Sequence, residues 1–72
     1  MLKLYTLKNC PNCDELKKIF KQKNVSYEEL NVDEDFIARA RMVEHDLEEM
    51  PVLEVSGQFK SGPINELAKF VV

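Results

Sequence analysis

Cys10 and Cys13 are the residues of this sequence whose type and spacing are best suited to chemistry. They are its only two cysteines, set two residues apart in the run Cys10-Pro11-Asn12-Cys13. A thiol attacks a disulfide only as the thiolate. A working site therefore needs one cysteine with a lowered pKa and a second within reach of the resulting mixed disulfide. Two intervening residues at the start of a helix meet both demands. With Cys10 as N-cap and Pro11 as the first helical residue, the amides of Asn12 and Cys13 point back at the Cys10 sulfur, where the helix dipole also favours negative charge. Cys10 is thus the expected nucleophile, and Cys13, one turn in on the apolar stripe, the expected resolving thiol. A bridge between them closes so short a loop that it restrains the unfolded chain very little, so stability is not its purpose.

Lys8 stands close enough to add a favourable charge near Cys10 and is a candidate pKa modulator, whereas Asp14 and Glu15 in the first turn act the other way. The same cysteine pair is also half of a zinc site. Zinc wants about four ligands, and beyond the two cysteines the chain offers the single His45, so a metal held between two chains is the form of that alternative that stays open. His45 otherwise reads as a surface histidine.

The elements that would position the cysteines follow from periodicity. Leu2, Leu4 and Thr6 alternate with Lys3 and Tyr5 and predict a first strand ending before Lys8-Asn9. Cys13, Leu16 and Phe20 recur at helical spacing through about Lys23, with Asn24 as a stop. Val25 to Val32 reads as a second strand. Phe36, Ala40, Val43 and Leu47 then form the expected apolar stripe of a second helix, with Asp33 to Asp35 supplying acids to its first turn. Met50-Pro51 breaks that pattern, and Val52, Leu53 and Val55 form a third strand. Ser56-Gly57 is a tight-turn signal that lets Gln58 to Lys60 return as a fourth. After Ser61-Gly62-Pro63, the residues Ile64, Leu67, Ala68 and Val71 make the stripe of a closing helix. The expected fold is α/β, in the order βαβαββα: a four-stranded mixed sheet flanked by three helices, in one domain over residues 1–72. Glu54 falls in the third strand, where an unpaired carboxylate is costly. A frayed sheet edge is the expected explanation, with pairing to a lysine, or a buried acid relaying the Cys13 proton, as the alternatives.

Composition bounds the function classes. At 72 residues there is room for one compact unit, and a hydrophobic content of 44% is enough for a modest core. Ten basic against thirteen acidic residues leave a net charge of −3, which does not mark the molecule for nucleic acid. Lysines 17, 18, 21 and 23 and the acids between 33 and 49 read as solvated faces. The alternating N-terminus lacks the apolar stretch of a signal peptide, and no segment reaches the ~18 apolar residues of a membrane span. The expectation is a soluble, cytoplasmic monomer with no membrane partner, in which a close cysteine pair is catalytic or metal-binding rather than structural.

Taken with Tyr5-Thr6 before the cysteines, Met50-Pro51-Val52 after them and Ser61-Gly62 before the last helix, the chain resembles the glutaredoxin-like group of the thioredoxin superfamily over essentially its whole length. The resemblance implies a thioredoxin fold and a redox-active Cys10–Cys13 disulfide, with no bound cofactor. It also implies a cis Pro51 lying against the cysteines, with the Met50 backbone free to pair with an extended substrate segment. Pro11, Asn12, Met50, Pro51, Ser61 and Gly62 are the substrate-binding residues it suggests. The distance from Cys10 to Pro51, the Asn31-Val32-Asp33 run and Ser61-Gly62 look most like the NrdH redoxins, which behave as thioredoxins and feed electrons to ribonucleotide reductase. The implied partners are a protein disulfide, ribonucleotide reductase among the candidates, and a reductase of the thioredoxin-reductase type. A glutathione-dependent glutaredoxin is the alternative. Against glutathione stand Asn12 in place of an aromatic residue, Leu7 in place of a basic one, Pro63 with its missing amide, and the Glu48-Glu49 pair, which repels an anionic tripeptide.

Overall fold

The computed structural model describes residues 2–70 of the chain. Its elements are β1 (Lys3–Thr6), α1 (Pro11–Gln22), β2 (Glu28–Asn31), α2 (Phe36–Glu44), β3 (Val52–Val55), β4 (Gln58–Lys60) and α3 (Ile64–Leu67), the last running into a 3₁₀ turn over Ala68–Phe70. The sheet order is β2-β1-β3-β4. β1 runs parallel to β2, with Tyr5 opposite Leu30, and antiparallel to β3, with Tyr5 opposite Val52. β4 folds back on β3 through Ser56 and Gly57, both at positive φ as a two-residue hairpin turn of this kind requires. The predicted order and mixed sheet are those observed. β2 is shorter than expected, and Val71 of the predicted closing stripe lies outside the described residues.

Side chains of a strand alternate between faces, so each central strand feeds two cores. Leu4 and Leu53 join Leu16, Phe20 and Leu67 on the α1 and α3 side. Tyr5 and Val52 join Val32, Ala38 and Met42 on the α2 side. α1 buries Cys13, Leu16 and Phe20 as predicted. It ends where Asn24 turns to φ 56, with the Asn24 amide donating to the Lys21 carbonyl and the Val25 amide to that of Phe20. This is a Schellman stop, with Val25 and Phe20 meeting in the same core. α2 ends in the same way, with Asp46 at φ 57 and the Leu47 amide on the Met42 carbonyl.

The face α2 buries differs from the predicted one. Phe36 and Val43 are 84% and 70% exposed, Ala40 is exposed, and Ala38 and Met42 point inward instead. The difference has a physical cause in Arg41, which lies on the same face as Ala38 and Met42 and reaches the Glu54 carboxylate at 3.2 Å. Turning the Phe36 stripe inward would carry Arg41 away and leave that carboxylate, only 8% exposed, without its cation. The acids preceding α2 also divide their work. Asp35 is the N-cap, accepting from the Ala38 amide at 3.0 Å, while Asp33 lies outside the helix.

Candidate redox site

All the segments of the site converge on one end of the sheet. β1 delivers Cys10 through a turn in which Asn9 takes φ 56. The turn is tied down by the Lys8 amide, which donates to Asp33 Oδ2 at 2.9 Å; Asn31 Oδ1 accepts from the Asp33 amide at 2.8 Å. Cys10 then caps α1 in extended conformation with Pro11 behind it, and the Cys13 amide donates to Cys10 Sγ at 3.1 Å. The two cysteines form a disulfide with Cα atoms 5.2 Å apart. Cys10 is half-buried and Cys13 is 1% exposed, so the sulfur at the helix start is the accessible one.

The Met50-Pro51 peptide is cis, Pro51 is buried, and the Met50 carbonyl oxygen lies 3.8 Å from Cys10 Sγ. Pro11 and Asn12 are exposed beside the disulfide. Because β4 runs antiparallel to β3, Ser61 and Gly62 emerge at the same end of the sheet as Pro51. Both are exposed, and Ser61 borders a cavity with Asp46, Leu47, Glu48 and Glu49. Lys8 is exposed and enters the site through its backbone amide.

Lys17 offsets one of the two acids near the helix start. Lys17 bridges Asp14 at 3.5 Å and Glu29 at 3.2 Å, and Thr6 Oγ1 donates to the same Glu29 oxygen at 3.0 Å. Burial works to lower the Lys17 pKa, but the bond to Glu29 and the charges of Glu29 and Asp14 outweigh it and hold it above the ordinary lysine value. Asp14, in the first turn of α1, is thus half of an ion pair.

Glu54 departs from its expected place. It is buried in the middle of the sheet, not frayed at an edge, and its cation is an arginine, not a lysine. Its carboxylate accepts from the Tyr5 hydroxyl at 2.7 Å and from Arg41. The Tyr5 bond holds the Glu54 pKa below the usual glutamate value, with Arg41 assisting and burial opposing. Burial, reinforced by the bond to Glu54, pushes Tyr5 up to about 12. Glu54 opens onto the α2 side, whereas Cys13 packs on the α1 side with Leu16 and Phe20, so the sheet separates this acid from the resolving cysteine. His45 caps α2 and lies tilted against Phe59, ring centroids 4.6 Å apart, with Arg41 also over that ring. Among the described residues no group of three His, Cys, Asp or Glu side chains is gathered as a metal would need. Sequence reasoning missed the Asp33 tie and the Tyr5–Glu54–Arg41 set. The only signal for Asp33 was an Asx-type run at the end of a strand, Asn31-Val32-Asp33.

A disulfide at a helix start, set against a cis-proline at the end of a mixed four-stranded sheet, defines a thioredoxin-fold redoxin. Residues 2–60 match the glutaredoxin family model, and the chain belongs to the glutaredoxin family. An uncharacterized glutaredoxin-like 8.6 kDa protein of the rubredoxin operon of Clostridium pasteurianum is 30% identical over 63 residues, spanning 86% of this chain and 84% of that protein. The thioredoxin-like protein BC3987 is 32% identical, with a TM-score of 0.86 over 99% of this chain and 100% of its own. The NrdH-redoxin of Escherichia coli, described as a glutaredoxin-like protein with a thioredoxin-like activity profile, shares the fold at a TM-score of 0.86 over 99% and 93% of the two chains, with 20% identity. Among the described residues no helix is long and apolar enough to cross a membrane.

Proposed function

We propose that this protein is an electron-transfer redoxin that reduces protein disulfides with electrons from an external dithiol reductase. The observation that carries the reading is the placement of Cys10 Sγ at the N-terminus of α1, accepting the Cys13 amide at 3.1 Å. In the reduced protein the Cys10 thiolate bonds to one sulfur of the partner disulfide and expels the other as a thiolate, giving a mixed disulfide. The Cys13 thiolate then bonds to Cys10 Sγ and releases the second partner sulfur. The partner gains two electrons and, with two protons, becomes a dithiol, while Cys10 and Cys13 close as the disulfide. The nearby Met50 backbone and the exposed Pro11, Asn12, Ser61 and Gly62 offer the surface on which an extended segment rests.

Disulfides of the ribonucleotide-reductase type fit the electron acceptor, and a reductase of the thioredoxin-reductase type fits the donor. Asp46, Glu48 and Glu49 around Ser61 support that choice, since an anionic tripeptide would meet carboxylates there. The reading assigns the protein to the cytoplasm, where reductases keep dithiols reduced. Turnover of insulin disulfides with thioredoxin reductase, compared with turnover by glutathione and glutathione reductase, tests it directly. Cys10→Ser is expected to abolish reduction and Cys13→Ser to accumulate the mixed disulfide. Retention of activity in Cys10→Ser would sink the assignment.

A further inference from the structure

Leu7, Val32, Met42, Val43, Leu47 and Met50 line a cavity of about 300 Å3 between the start of the Cys10 loop and α2. That volume is at the lower end of the range for ligand sites, roomy for one large side chain. Asp33, Asp46 and Glu48 also line it, against a single cation, Arg39. Two of its walls belong to the redox site. Leu7 leads into the turn that carries Cys10, and Met50 places its carbonyl oxygen 3.8 Å from Cys10 Sγ. Val43 lines the cavity yet is 70% exposed.

We propose that this cavity selects the disulfide partner: it receives a large apolar side chain from the polypeptide segment joined to Cys10, while its acidic rim favours a basic residue beside that side chain. The proposal rests on the dithiol reading above. A segment whose sulfur is aligned with Cys10 for attack presents its neighbouring side chains to the cavity at high effective concentration, so a shallow, open cavity is enough to discriminate as the bond forms. Three carboxylates against one guanidinium give the rim a net negative field, which salt screens.

Peptides carrying one cysteine as a mixed disulfide with thiopyridine test this. The Cys10 thiolate bonds to the peptide sulfur and expels thiopyridone, whose absorbance is followed; Cys13 then releases the peptide thiol as the protein disulfide closes. Three peptides differ only beside the cysteine, carrying leucine and lysine, glycine and lysine, or leucine and glutamate. Each rate is divided by the rate of the same protein on hydroxyethyl disulfide. The leucine-lysine peptide is expected to lead both others by roughly tenfold, and its lead over the glutamate peptide to shrink with added salt. Glu48→Lys is expected to reverse the lysine-over-glutamate order, and Val43→Asp to cancel the leucine-over-glycine difference. Equal ratios for the three peptides, or preferences that survive in both variants, would overturn the proposal. A reduced protein inert toward every disulfide, hydroxyethyl disulfide included, would overturn the dithiol reading itself, and the cavity proposal would fall with it.

Discussion

At the scale of single residues, the two cysteines differ in what surrounds them more than in what they are. Cys10 accepts a hydrogen bond from the Cys13 amide and sits at the positive end of a helix; Cys13 is buried in the core. Both placements were legible in the sequence, because Pro11 and the Cys13-Leu16-Phe20 spacing imply a helix that begins at Cys10. Glu54 was not, because its partners lie at Tyr5 and Arg41, one on a neighbouring strand and the other on a helix that packs across the sheet. Periodicity within one segment carries no information about such pairs. Glu54→Gln keeps the shape but removes the charge, and is expected to cost about 1–3 kcal/mol at neutral pH by chemical denaturation. Since the folded-state pKa of Glu54 is depressed, the contribution of its charge is complete above the unfolded value of 4.5 and is lost as the pH falls through the lower folded value. The gap between wild type and variant should therefore narrow in acid. Tyr5 acts at the other end of the scale. Its raised pKa makes the folded form hold its proton longer, so stability should fall between pH 10, the unfolded value, and about 12, and Tyr5→Phe should flatten that fall.

At the scale of elements, α2 is where periodicity misled. Phe36, Ala40 and Val43 form as good an apolar stripe as Ala38 and Met42, and tertiary demands that one segment does not display, the pairing of Arg41 with Glu54 among them, favour the second. Met42→Ala is expected to cost about 2–5 kcal/mol in urea unfolding, whereas Phe36→Ser should change stability by less than about 0.5 kcal/mol. Equal costs would mean that the helix buries the other face. The stop of α1 was easier to read than that of α2, whose predicted stripe ran on to Leu47 although the helix ends at Glu44. Asn24 was identified as an end, and its φ of 56 gives the reason, since asparagine tolerates the left-handed conformation better than most residues. Asn24→Ala should lower the thermal midpoint, at a cost of about 1 kcal/mol, while Asn24→Gly should not.

At the scale of the whole molecule, the order of the elements and the β1–β2 and β3–β4 pairings were legible from the connections, but the spatial order β2-β1-β3-β4 was not. The β1–α1–β2 crossover makes its two strands parallel and a two-residue turn makes β3 and β4 antiparallel, whereas α2 joins β2 to a strand running the opposite way, so the β1–β3 pairing came from the fold alone. The grouping of the start of α1, the Met50-Pro51 segment and Ser61-Gly62 was legible through the family resemblance, and the topology brings all three to one end of the sheet. What the sequence did not reveal were the features made by packing between elements, namely the cavity beside Met50 and the bond from the Lys8 amide to Asp33.

One of the two edge strands, β2, bears on whether copies of the chain associate. Its free edge is a row of backbone donors and acceptors only four residues long, and a second copy could pair there and begin to aggregate. Glu28 and Glu29 are both exposed on that strand, so two such edges laid together would bring carboxylates face to face. Glu29 is partly neutralised by Lys17, which leaves Glu28 as the principal guard. Glu28→Val should therefore self-associate at concentrations where the parent chain does not, as light scattering would show.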